Sequence, residues 1–189
     1  MAPSGNPANS TVFRYTSFAI ALHWVLAAAL FAQFTLGWWM LDLPKSPPGL
    51  RAGWFNVHKS IGVTIALLVA VRLAWRLQHP APEVDMGPAW RRAAARIMHT
   101  LLYGCMLAMP VSGLLGSSFT RYPIRLFGIA LPTPHADWPA GKQLMSNLHY
   151  ATACLFAALV VIHIAAALWH WWRRDDVSAR IGIPSLRAR

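Results

Sequence analysis

Acidic side chains are scarce in this chain: six Asp and Glu stand against seventeen Lys and Arg. Charged residues of both signs make up only 12%, where a soluble domain carries about 25%. That shortage argues against an ordinary water-soluble domain and points to lipid. Cysteine is nearly absent too. Cys105 and Cys154 belong to no CxxC or CxxCH arrangement, which removes support for covalent c-type haem attachment and for a thiolate zinc site. Both lie in apolar runs and read as small core residues. The net charge of +11 does not imply nucleic-acid binding, because the basic residues flank apolar stretches instead of lining one face. There is no internal repeat, and the length fits one domain.

Long apolar runs dominate what is present. The first extends from about Phe18 to Leu41, too long for the apolar segment of a signal peptide and long enough to cross a bilayer. The second extends from about Trp54 to Leu77, the third from about Ile97 to Phe119 and the fourth from about Leu144 to Trp172. Proline-rich connectors separate them. Pro110 should kink the third span, with Gly113 and Gly116 allowing close helix contact. The expected fold is therefore all-α: an integral membrane four-helix bundle, up-and-down. Residues 1–13 read as a disordered cytoplasmic tail, 14–175 as the transmembrane domain and 176–189 as a basic cytoplasmic tail.

Charge sets the orientation. With the N-terminus inside, the inner segments hold Arg14, Arg72, Arg76, Arg91, Arg92, Arg96, Arg173, Arg174, Arg180, Arg187 and Arg189. The outer segments hold Lys45, Arg51, Lys59, Arg121, Arg125 and Lys142. That excess predicts both termini in the cytoplasm. Trp38, Trp39 and Trp54 fall at the outer interface, and Trp169, Trp171 and Trp172 at the inner one.

Histidines carry the chemistry. Ionisable groups inside a membrane are costly, so they are site candidates. His58 lies seven residues after Arg51, and His149 seven after Lys142. This pair should share one depth near the outer face. His23 lies nine residues after Arg14, and His163 ten before Arg173, so a second pair should share a depth near the inner face. Each pair joins two helices, as a bis-histidine haem requires. The fourth span supplies one ligand to each, fourteen residues apart on one face, a rise of about 21 Å. No Asp or Glu lies in the spans, which weakens both a zinc site and proton-coupled transport. His79 and His135 lie in connectors and should be solvated. His99 and His170, each three residues from an arginine, should be shallower and interfacial. Arg72 lies fourteen residues after His58 on the same helix face. It suits a haem propionate, or it snorkels to the inner surface with Arg76.

The stretches RYTSFAIALHW, FNVHKSIG, VRLAWRL, HTLLYGCMLAMPVSGLL and LHYATACLFAALVVIHIAAALWH together resemble the bacterial cytochrome b561 family. More broadly, they resemble the di-haem b subunits of membrane hydrogenases and formate dehydrogenases. The resemblance covers about residues 14 to 175. It implies two haem b in a bacterial inner-membrane protein, with His58 and His149 for the outer haem and His23 and His163 for the inner one. It also implies electron transfer from a donor to the quinone pool, and some stand-alone members oxidise superoxide and reduce ubiquinone.

On that basis Lys59, Arg121, Arg125 and Lys142 are candidates for steering a small anionic donor, or for pairing with haem propionates or lipid phosphates. His99 and His170, with Arg76 and Gln78, are candidates for a quinone headgroup site. Two alternatives stay open. One is a membrane-anchor subunit that receives electrons from a docked redox partner protein. The other is a non-redox membrane protein using its histidines for protons or packing.

Overall fold

The computed structural model describes residues 15–44, 49–80, 88–132 and 137–173. The two tails, with Arg14, Arg174, Arg180, Arg187 and Arg189, lie outside the described residues, as do Lys45 and His135. Four helices make up the body: α1 Ser17–Trp39, α2 Leu50–Gln78, α3 Ala89–Ser118 and α4 Pro139–Trp172. All four are long and apolar enough to cross a membrane. They contain 23, 29, 30 and 34 residues, against the 20 or so that a hydrocarbon core of about 30 Å requires.

The helices outrun the apolar segments for a physical reason. Backbone hydrogen bonding continues into the interface, beyond the point where hydropathy falls. Thr16 caps α1 by accepting the Ala19 N–H at 3.3 Å. Pro88 precedes α3 and Pro139 opens α4, where a missing N–H costs nothing. α3 accordingly starts eight residues before the expected Ile97, and Arg91, Arg92 and Arg96 ride on its first turns.

Packing follows chain order. α1 lies on α2, α2 on α3 and α3 on α4, the last being the most extensive association. By contrast, the backbone of α4 makes no close approach to α1 or α2 among the described residues. Side chains alone bridge that seam. Phe34 of α1 meets Phe156 of α4 with ring centroids 5.3 Å apart. Leu22, Leu26, Ile65 and Val69 form one buried cluster between α1 and α2. Leu102, Cys105, Phe156 and Leu159 form a second between α3 and α4. Leu30 and Met106 touch both. Large apolar side chains elsewhere, such as Phe31 at 76% and Val161 at 66%, point outward, as lipid-facing surfaces do.

At the end carrying the α1–α2 and α3–α4 connectors, called outer here, residues 119–132 and 137–138 form an excursion between α3 and α4. Its centre is a two-stranded antiparallel hairpin, β1 Arg125–Leu126 and β2 Ile129–Ala130. The hairpin packs on α2. An ion pair between Arg121 and Asp137 ties the two ends of the excursion together. The sequence pattern predicts only a plain connector over this stretch.

Candidate functional site

α4 presents His149 and His163 on one face, and each meets an imidazole from across the seam. At the outer end His58 of α2 faces His149, with ring centroids 6.2 Å apart. At the inner end His23 of α1 faces His163 at 6.5 Å. A metal–imidazole bond of about 2 Å on either side of one ion puts ring centroids roughly 6 Å apart. Both pairs therefore have the spacing of two imidazoles sharing one metal. Each also lies in the seam where only side chains bridge the helices, which suits a flat macrocycle. No group of three or more His, Cys, Asp or Glu suited to a bare metal ion occurs among the described residues.

The outer pair rests in a cradle built largely by α3. His149 Nδ1 lies 3.0 Å from the Met109 carbonyl oxygen and 3.1 Å from Ser112 Oγ. A carbonyl only accepts, so Nδ1 carries the proton and Nε2 is left free. That is the tautomer a metal-binding histidine adopts when its other nitrogen is hydrogen-bonded. Ser112 is 4% exposed, and its hydroxyl donates a hydrogen bond to the Ala108 carbonyl at 2.7 Å. Gly113 clears the ring's place: a Cβ there would lie 3.3 Å from His149 Cε1. Gly37 of α1 does the same for His58, also at 3.3 Å from Cε1. His58 Nδ1 is buried with no hydrogen-bond partner among the described residues. Gln33 of α1 donates to the His58 carbonyl at 2.8 Å, and Gly62 admits its amide. Ser112, Gln33, Gly37 and Met109 are additions to the sequence-derived site, because each acts through cross-helix register.

The inner end is different in kind. His99 of α3 is half-buried, its ring 5.5 Å from His163, nearer than His23 is. The expectation that His99 is shallow and interfacial is therefore corrected. Because α3 begins at Ala89, Arg96 lies in its second turn, and His99 reaches the level of His163. His99 Nδ1 donates to its own helix at the Ala95 carbonyl, 2.7 Å away. Arg72 does not simply snorkel outward. Nε donates to Tyr103 Oη at 3.2 Å and Nη1 to the Ala19 carbonyl at 3.2 Å. Both acceptors are neutral, and Arg72 lies within electrostatic range of His23, His99 and His163. Arg76 lies within range of His99. Gln78 is exposed at the end of α2, and His170 is half-buried in the last turn of α4.

The basic residues of the outer end separate by environment. Arg121 is fully exposed but paired with Asp137, which holds its guanidinium as the cation and partly cancels its charge. Arg125 and Lys142 are exposed, on the hairpin and on the first turn of α4. Lys59 is half-buried beside His58.

A bundle of four spanning helices with imidazole pairs at two depths defines a class: membrane cytochromes that hold b-type haem. The chain belongs to the prokaryotic cytochrome b561 family, whose model matches residues 14–182. It is 32% identical over 179 residues to cytochrome b561 homolog 2 of Escherichia coli K12, covering 91% of this chain and 93% of that protein. It is 26% identical over 170 residues to cytochrome b561 homolog 1 of the same strain, covering 86% and 93%. Similarity to the probable superoxide oxidase CybB of Yersinia pestis is 25% identity over 173 residues, covering 86% and 92%. The protein is thus a multi-pass bacterial inner-membrane protein that transfers electrons through b-type haem.

Proposed function

We propose that this cytochrome holds two b-type haems, and that it oxidises superoxide at the outer end and reduces ubiquinone at the inner end. The observation that carries the reading is the pair of imidazole contacts along one face of α4, 6.2 Å and 6.5 Å between centroids. His58 and His149 would hold the outer iron, and His23 and His163 the inner one. Bound haem supplies one-electron chemistry, its potential set by ligand hydrogen bonds, burial and nearby charge. In the net reaction two superoxide anions each lose one electron and become dioxygen. One quinone takes both electrons with two protons and becomes quinol.

The chain's own residues divide that work. Ser112 and the Met109 carbonyl fix the tautomer and angle of His149. Arg72, held by Tyr103, offers a cation that has no carboxylate partner among the described residues, which suits a propionate. Lys59, Arg125 and Lys142 give the outer end a positive field that raises the encounter rate of an anion. Arg121 contributes less, because Asp137 neutralises it. At the inner end His99, Arg76 and His170 supply donors and a route for the two protons, with Gln78 at the rim. The superoxide reading rests on that field and on the name carried by the Yersinia relative.

The test is a reduced-minus-oxidised spectrum with haem quantified per chain, followed by superoxide-dependent quinone reduction in proteoliposomes. Two haems and superoxide-driven turnover are expected. A single haem refutes the pairing. Two haems without superoxide oxidation, together with co-purification of an iron–sulfur protein, would favour the anchor-subunit reading. The exposed Arg125 and Lys142 would then be its docking contacts.

A further inference from the structure

The hairpin in the third connector carries a feature that electron transfer does not use. Its two turn residues, Phe127 and Gly128, have φ of 50° and 85°. Both values are positive, as in the type I′ turn that joins twisted strands. Glycine suits such a position, and Asn or Asp is the usual companion. Phe127 is the one non-glycine residue at positive φ among the described residues. Turn sterics do not select an aromatic side chain there, so its surroundings must favour it.

Depth and direction identify those surroundings. The Phe127 N–H donates to Ser60 Oγ at 2.8 Å. Ser60 lies six residues beyond Trp54 in α2, about 9 Å along the axis toward the bilayer centre. Trp54 meets Trp39 edge to face at 5.0 Å, which marks the aromatic belt. The tip of the hairpin therefore lies below the belt. Ser60 is two residues from His58, roughly 200° around the helix. His58 faces the seam, so Ser60 and the hairpin lie on the other side of α2, away from the histidines.

The hydrogen bonding fits a dry location. A hairpin-tip N–H in water needs no protein partner, but one at the acyl boundary does. Here a serine only 4% exposed serves it. Ile124, also 4% exposed, and half-buried Leu126 face the protein. Phe127 and Ile129 project outward at 71% and 69% exposure.

We propose that this hairpin is seated in the outer membrane interface, with Phe127 and Ile129 among lipid acyl chains. The hairpin is thus a lipid-anchored element that walls the outer end of α2. It is not a free extramembrane loop.

A nitroxide attached at Phe127→Cys, in a Cys105→Ala, Cys154→Ala background, reports which medium surrounds the tip. The protein is reconstituted in phosphatidylcholine and kept oxidised, and a nitrogen-equilibrated sample supplies the baseline that subtracts relaxation by the haem iron. Power saturation then compares collisions with oxygen, which partitions into lipid, and with a water-soluble nickel chelate. The expected result is oxygen access several-fold above nickel access, close to that of a Val161→Cys control on α4. Dominant nickel access would place the tip in water and overturn the proposal. Low access to both would mean that protein covers it, whether a second copy or another partner, and would equally overturn it. If the labelled variant does not fold, the wild-type chain is irradiated with phosphatidylcholine carrying an acyl-chain diazirine. Adducts in the peptide spanning 122–131 support acyl contact, and their absence alongside labelled α4 refutes it.

Discussion

The two ends of the seam solve different problems with the same side chain. At the outer end two imidazoles face each other in a cradle shaped by Gly37 and Gly113 and tethered through Ser112 and Met109. At the inner end three imidazoles gather around Arg72 and Tyr103, and no described glycine comes within reach of His23 or His163. The outer arrangement fixes one geometry. The inner arrangement concentrates donors and positive charge, as expected where an anionic group must be held or protons delivered. Location within the bundle, more than residue type, decides what a histidine does.

The comparison can be broken most decisively at His149. His149→Ala should lose the outer haem, about half the total absorbance, with the inner haem spectrally intact. Equal loss of both haems would show that the ends are not separable. Gly113→Val should approach the same phenotype, because its Cβ would already lie 3.3 Å from the ring. Haem content against retained helical circular dichroism measures it, and normal loading would remove the cradle from the argument.

A finer contrast separates tuning from loading. Ser112→Ala keeps the Met109 contact but deletes the hydroxyl, so both haems should load while the outer potential alone moves in a redox titration. Tyr103→Phe should act at the other end: the Arg72 guanidinium loses one of its two tethers and keeps the Ala19 carbonyl, and the inner potential falls while the outer stays put. A shift of both potentials by either variant would contradict the division. Smallest in scope is His99→Ala. It should leave haem content unchanged and slow quinone reduction by about a hundredfold, the lower end of what a proton-transfer group contributes. An unchanged rate would reassign His99 to packing beside His163.

Much of this was legible in the sequence, for reasons the residues make plain. A fourteen-residue spacing keeps His149 and His163 on one helix face whatever the neighbours do. Distance from flanking arginines then estimates depth. The same estimate misplaces His99, because Arg96 does not mark the start of its helix: α3 extends back to Ala89. The features in Ser112, Gln33 and Gly37 were hidden, since a serine or glycine in an apolar run has no signature until the facing helix is in register. The hairpin was hidden by its brevity. Two residues per strand leave no alternation to detect, and FG is a rare form of a turn usually written NG.

The seam has a consequence for how the molecule is built. α1 with α2, and α3 with α4, are helical hairpins with direct backbone packing, while α4 reaches the first pair only through side chains. Association of preformed helices in lipid depends on close packing, and here that packing exists within each hairpin and along the α2–α3 border. Biogenesis should therefore proceed in halves, each half inserted and stable before the other is engaged. Closure of the α1–α4 side then comes last, waiting on delivery of the pigment. Chains made without haem should therefore differ from the loaded protein along that edge first.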